Sequence, residues 1–169
     1  FPVVFVSKLQ VKSWPIFGIM TLLGGTVFID RKRKDRTLQY IDRIAQLLKK
    51  GLNVLLFPEG TSTNGEKLRS FQGPFFASPI SAGCNILPIT ISYTSINGKK
   101  LSAHNREDVF WYGQIPFSHH LWRLLDLKRI EVNLKLHPKI KSSLYPNTTQ
   151  GRHNLAHFAY ETIAKEYPL

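Results

Sequence analysis

The sequence predicts a single α/β domain built on a mixed, largely parallel sheet with flanking helices. Three observations carry that prediction. The apolar run Leu52-Asn53-Val54-Leu55-Leu56-Phe57 is bounded by Gly51 and Pro58, which suits a strand buried on both faces of a parallel sheet. An amphipathic stretch from Asp35 to Lys50 separates it from a shorter apolar segment, Thr26-Val27-Phe28-Ile29. Strand, helix and strand in that order make a βαβ unit, whose crossover is almost always right-handed. Finally, 169 residues of which 43% are apolar, without a fixed-period repeat or low-complexity tract, suffice for one core.

Taken in order, Pro2-Val3-Val4-Phe5-Val6-Ser7 reads as a first buried strand ending at Lys8. Trp14-Pro15-Ile16-Phe17-Gly18-Ile19-Met20 reads as a short apolar helix with proline near its start. Gly24-Gly25 turn the chain into the Thr26–Ile29 strand, which delivers Asp30 and Arg31 at its carboxyl end. In the helix that follows, Asp35 is a good N-cap and Leu38, Ile41, Ile44, Ala45 and Leu48 share a face. Lys49-Lys50 complement its C-terminal dipole. Open α/β sheets bind ligands outside the carboxyl ends of their strands, so Arg31 and Glu59 are expected in one neighbourhood. A polar loop from Thr63 to Gln72 leads to a helix over about Pro74 to Ala82, then a strand from Ile86 to Ser92 made irregular by Pro88. Asn97-Gly98 marks a turn, Val109 to Gly113 a short strand, and His119 to Leu125 a short helix. Ile130 to Leu136 alternates like a half-exposed strand. Residues 149 to 166 close the chain as an amphipathic helix with Leu155, Phe158, Ala159 and Ile163 inward.

Twenty-three lysines and arginines against eleven acidic residues give a formal charge of +12. That balance favours a polyanionic partner: nucleic acid, anionic lipid or a phosphorylated substrate. Nucleic acid is disfavoured, since the sequence has no zinc-finger spacing, no aromatic RNP pattern and no basic region leading into heptads. Cys84 stands alone, which excludes an intramolecular disulfide and a multi-cysteine metal site. Asn147-Thr148-Thr149 matches a glycosylation acceptor, a pattern also common by chance. No stretch reaches the length of a membrane span, and no signal peptide is recognisable. The uncharged apolar run Ser13 to Ile29 is broken by Pro15, Gly18, Gly24 and Gly25, so it reads better as a short helix, a glycine turn and a strand than as a bilayer helix, while its hydrophobicity is compatible with a membrane surface. The chain starts at Phe1 rather than Met, as a processed or incomplete chain does.

Phe28-Ile29-Asp30-Arg31, Phe57-Pro58-Glu59-Gly60-Thr61-Ser62 and Ile86-Leu87-Pro88-Ile89 occur in that order. Phe5-Val6-Ser7-Lys8 and Trp14-Pro15-Ile16-Phe17-Gly18 precede them, and Phe110-Trp111-Tyr112-Gly113 follows. The series resembles the glycerolipid acyltransferases, most closely the bacterial 1-acylglycerol-3-phosphate acyltransferases, over roughly residues 3 to 140. The resemblance implies transfer of an acyl group from acyl-CoA or acyl-carrier protein to the free hydroxyl of a lysophospholipid, giving phosphatidic acid, with no metal and no cofactor. It also implies a membrane-associated enzyme on the cytoplasmic face, drawn to anionic lipid by its charge. Arg31 would hold the acceptor's phosphate through its planar fork, with Lys8 as a second point charge. Glu59, Gly60 and Thr61 would line the acceptor's glycerol end. Ser62 stands where many relatives carry an arginine, which removes one phosphate contact.

The family's general base is a histidine oriented by an aspartate five positions later, placed to take the proton of the attacking hydroxyl. None of the six histidines here meets that spacing: residues 109, 124, 125, 142, 158 and 162 are Val, Leu, Leu, Ser, Phe and Thr. His104 and Asp108 are one residue too close. The expectation is therefore an acyltransferase core, residues 1–169, incomplete at its N-terminus and without a catalytic residue of its own. The alternative is a non-catalytic lipid- or phosphate-binding domain that has kept the fold.

Overall fold

The computed structural model describes residues 3–14, 16–30 and 33–167. Pro2 of the first expected strand, Pro15 of the first expected helix, and Arg31 and Lys32 of the basic run lie outside the described residues. The elements run β1 (Val3–Lys8), α1 (Phe17–Leu23), β2 (Val27–Ile29), α2 (Thr37–Lys49), β3 (Asn53–Leu55) and α3 (Ala77–Ala82). They continue with β4 (Asn85–Ile86), β5 (Ile89–Ile96), β6 (Lys99–Lys100), α4 (Phe117–Leu125), β7 (Ile130–Leu136), β8 (Ile140–Lys141) and α5 (Thr149–Ala164). They fall into two compact units, each assembled from separated stretches: residues 1–58, 72–86 and 141–156 in one, and 59–71, 87–140 and 157–169 in the other.

The first unit holds a three-stranded parallel sheet in the order β2-β1-β3. Strand β1 is central, with Val6 opposite Val27 and Lys8 opposite Ile29 on one side, and Val4 opposite Val54 on the other. The strand–helix–strand run is present, but its two strands flank β1 instead of pairing with each other. Val4, Val27 and Ile44 form the buried core, closed by Val6, Ile29, Leu47, Leu48, Leu52 and Val54. This cluster joins α2 to one face of the sheet. The pleat sends Val3 and Phe5 to the opposite face, where they are exposed. β3 is likewise not buried on both faces: it is an edge strand among the described residues, three residues long, and Phe57 is 60% exposed.

Helix α2 follows its expected span, with two corrections. Asp35 lies in a 3-10 turn before the helix, where Arg33 engages its carboxylate at 3.0 Å, and the N-cap position is Arg36 without a side-chain bond. Leu38, in the first turn, is 70% exposed, while Ile44 and Ala45 carry the burial. Helix α3 continues a 3-10 turn over Gly73–Phe76 and ends at Gly83, whose φ of 66° is the left-handed cap that glycine adopts without a Cβ penalty. Ser78 Oγ donates to the Ile41 carbonyl at 3.0 Å, locking α3 to α2.

In the second unit, β5 is the centre of an antiparallel sheet ordered β6-β5-β7. Parallel pairing therefore does not dominate, because a turn at Asn97-Gly98 (φ 50° and 78°) folds β5 straight back into β6. Pro88 interrupts the expected Ile86–Ser92 strand, and its carbonyl accepts the His137 amide at 3.0 Å. Ile89 pairs with Leu136 and Ile91 with Leu134 on an exposed apolar face, while Thr90 is buried and lies 2.8 Å from His137 Nε2. Val109 to Gly113 forms no strand; Val109 ends a 3-10 turn, and Trp111 Nε1 donates to the Ile115 carbonyl at 2.7 Å. In α5, Leu155, Ala156 and Ala159 are buried, but Phe158 is 52% exposed. Cys84 is half-buried and free.

Candidate functional site

Register places the first predicted site residue. Because Lys8 and Ile29 are partners at the carboxyl ends of adjacent parallel strands, the chain leaves the sheet there on both sides. A cavity of about 810 Å³ opens at this edge, lined by Lys8, Leu9, Gln10, Lys12, Ser13, Ile29 and Asp30. Its position matches where parallel sheets place ligands. Asp30 is fixed from α2, since its backbone N–H donates to Tyr40 Oη at 3.2 Å. Gly18 seats α1 against the wall that carries Lys12: a Cβ there would lie 2.2 Å from the Lys12 carbonyl oxygen. Lys8 lines this cavity together with Lys12, Gln10 and Ser13. Sequence reading missed those three; the Lys8–Lys12 spacing was the available signal. Arg31 follows Asp30 directly in the chain but is not among the described residues.

The Glu59–Ser62 segment belongs to the other unit. Glu59 is partly buried and its Oε2 accepts the Arg69 backbone N–H at 2.9 Å. Burial pushes its carboxyl above the ordinary value, opposed by the Arg69 amide and the Arg69 charge. Gly60 is buried with φ of 75°, a conformation that keeps the turn open to glycine. Thr61 and Ser62 are exposed. The next hydroxyl, Thr63 Oγ1, caps the turn, accepting the Gly65 N–H at 3.2 Å.

The histidines offer no oriented base of the expected kind. His104, His119, His153 and His157 are exposed. His137 is buried against Thr90. His120 is buried with Nδ1 unpartnered, and burial holds its imidazole below the ordinary value. Among the described residues, no group of three or more His, Cys, Asp or Glu could hold a metal ion. No helix of the described residues is long and apolar enough to cross a membrane.

The molecule is a mixed α/β protein in which one unit carries a parallel sheet with a lysine-lined cavity at its carboxyl edge and the other carries the Glu-Gly-Thr loop. The family model described as Acyltransferase matches residues 1–92, and the chain belongs to that family, of the glycerolipid type. It is 39% identical to a lyso-ornithine lipid O-acyltransferase of Pseudomonas aeruginosa, over 96% of this chain and 58% of the relative. It is 36% identical to a lyso-ornithine lipid O-acyltransferase of Rhizobium meliloti, over 78% and 48%. With a 1-acyl-sn-glycerol-3-phosphate acyltransferase of Neisseria gonorrhoeae the identity is 31%, over 79% and 50%. The chain spans about half the length of these curated relatives. No solved structure matches it significantly.

Proposed function

We propose that residues 1–169 form the core of a lysolipid O-acyltransferase, which moves an acyl group from acyl-CoA or acyl-carrier protein to a lysolipid hydroxyl. The observation that carries this reading is the cavity flanked by Lys8, Lys12 and Asp30 at the sheet's carboxyl edge, in a chain of this family. The acceptor oxygen attacks the thioester carbonyl, the carbon–sulfur bond breaks, and the hydroxyl proton passes to a base and then to the departing thiolate. Arg31 and Lys8 bind the acceptor's anionic head group, and Glu59, Gly60, Thr61 and Ser62 its backbone end.

Two acceptors fit. Arg31, Lys8 and Lys12 suit 1-acylglycerol 3-phosphate. The 39% and 36% identity to two lyso-ornithine lipid acyltransferases, against 31% to the Neisseria gonorrhoeae 1-acyl-sn-glycerol-3-phosphate acyltransferase, together with Ser62 in place of a phosphate-binding arginine, favours an ornithine head group, which has an amine and a carboxylate but no phosphate. We further propose that the protein works on an anionic membrane surface at the cytoplasmic face. Helix α1 supports this, since it exposes Ile19, Met20, Leu22 and Leu23 next to the Lys12 turn.

Acyl transfer by the complete gene product, assayed with acyl-CoA and acyl-carrier protein against each acceptor, tests the reading. Transfer to one acceptor is the expected result. Arg31→Ala then weakens its use by about ten- to hundredfold, the range for losing charge-assisted hydrogen bonds. Binding of either lysolipid without any transfer establishes instead the non-catalytic lipid-binding domain.

A further inference from the structure

The loop from Glu59 to Arg69 is tied at its base and at its tip. At the base, the Arg69 N–H donates to Glu59 Oε2. At the tip, the hydroxyl of Tyr167, 102 residues further along the chain, donates to the Gly65 carbonyl at 2.9 Å. Arg106 donates to the Asn64 carbonyl at 3.2 Å and pairs with the Glu66 carboxylate at 2.9 Å. The Phe110 ring lies so close that a Cβ on Gly65 would meet it at 2.3 Å.

The local turn does not need these remote side chains. Thr63 Oγ1 already accepts the Gly65 N–H, and the Asn64 side chain already donates to Glu66 at 2.8 Å. What Tyr167, Arg106 and Phe110 fix is where the turn sits within its unit. Glu59 to Ser62 hang directly from that turn, so their placement follows it. Tyr167 is also within electrostatic reach of Glu59: burial first, and then the Glu59 charge, push its hydroxyl above the ordinary value.

We propose that Tyr167, supported by Arg106, is a positioning residue that latches the loop carrying Glu59, Gly60, Thr61 and Ser62 in its acceptor-binding shape. The proposal rests on the acceptor reading of that segment and deepens it. Tyr167 acts through Gly65 and does not touch the acceptor. A loop held in advance loses less freedom when its ligand arrives, so the latch strengthens acceptor binding and leaves donor binding alone.

Tyr167→Phe keeps the ring and removes only the hydroxyl. The test measures dissociation constants of the complete gene product for 1-acylglycerol 3-phosphate, lyso-ornithine lipid and acyl-CoA, with amide exchange of residues 63–67. The expected result is acceptor binding weakened about fivefold, the size of one lost neutral hydrogen bond. Acyl-CoA binding stays within about twofold, the scatter of a distant surface change. Exchange in residues 63–67 quickens while that of β5 and β7 holds. Unchanged acceptor binding overturns the proposal, and so does equal weakening for donor and acceptor, the mark of a merely structural role. Glu59→Gln, measured alongside, separates the two claims. If it leaves both lysolipids bound as before, the acceptor reading of the loop fails; if it weakens them while Tyr167→Phe does not, only the latch fails.

Discussion

Glu59 concentrates the chemistry of its loop because burial and hydrogen bonding oppose each other on one carboxyl. Its folded pKa is raised above the ordinary value of 4.5, so the native state binds the proton more tightly than the unfolded chain does. The stabilisation this gives is complete below about pH 4.5 and is lost as the pH rises through the folded value. Glu59→Gln keeps an oxygen for the Arg69 amide and cannot ionise. Its melting temperature is therefore expected to exceed that of the wild type at pH 7, with the gap closing as the pH falls through the folded value toward about 4.5. A variant equally or less stable at pH 7 would show that the charged form is the favoured one. Gly65 makes the second prediction at this scale. Its φ of +74° and the contact with Phe110 leave no room for a Cβ. Gly65→Ala should cost about 1–3 kcal/mol in chemical denaturation, the usual range for backbone strain. Glu59 and Gly60 were legible in the sequence because they follow an apolar run. Tyr167 and Arg106 were not, since only folding brings residues 102 and 42 positions away onto the same turn.

Among the elements, α2 shows what periodicity reveals and what it leaves out. The helix and its core face were readable, because Ile44 and Ala45 recur with the helical repeat and both are buried. Leu38 obeys the same spacing but stays exposed, and Asp35 is drawn away from the cap by Arg33. Periodicity describes a face; contact depends on how far the facing strands reach, and β2 and β3 are only three residues long. Ile44→Ala should cost about 2–5 kcal/mol, as buried truncations do, and Leu38→Ala less than about 0.5 kcal/mol. Urea denaturation of the two variants side by side checks the contrast. Strand β7 carries the matching lesson. Its alternation was visible, but Val132, Leu134 and Leu136 are exposed on one face and Asn133 and Lys135 on the other, and a pattern of period two does not say whether either face is covered.

For the molecule as a whole, the charge of +12 and the apolar surface of α1 act on the same kind of partner. On the proposed membrane-surface reading, basic residues draw the protein toward an anionic bilayer over a distance set by salt, and apolar side chains hold it once there. Leu22→Ser combined with Leu23→Ser should reduce binding to phosphatidylglycerol vesicles by about tenfold, because burying part of two leucine side chains contributes on that order. The thermal melt should not change, since Leu23 is 83% exposed. Co-sedimentation with vesicles at low and high salt makes the measurement. Retention of full binding by the double variant would remove α1 from the contact.

The unit that carries the lysine-lined cavity is also woven from three separated stretches, the last of which ends at residue 156. Ser142, fully buried, sits within hydrogen-bond distance of the Pro79 carbonyl at 2.9 Å and the Cys84 carbonyl at 2.5 Å, and Leu155 is wholly enclosed. On a ribosome, β1, β2 and β3 emerge well before the last of these stretches, so this unit stays unfinished until residue 156 has been synthesised. Its nascent form must wait with strand edges and apolar side chains open to water, a state prone to mispairing. Proximity to a membrane or a chaperone during synthesis would shelter that interval.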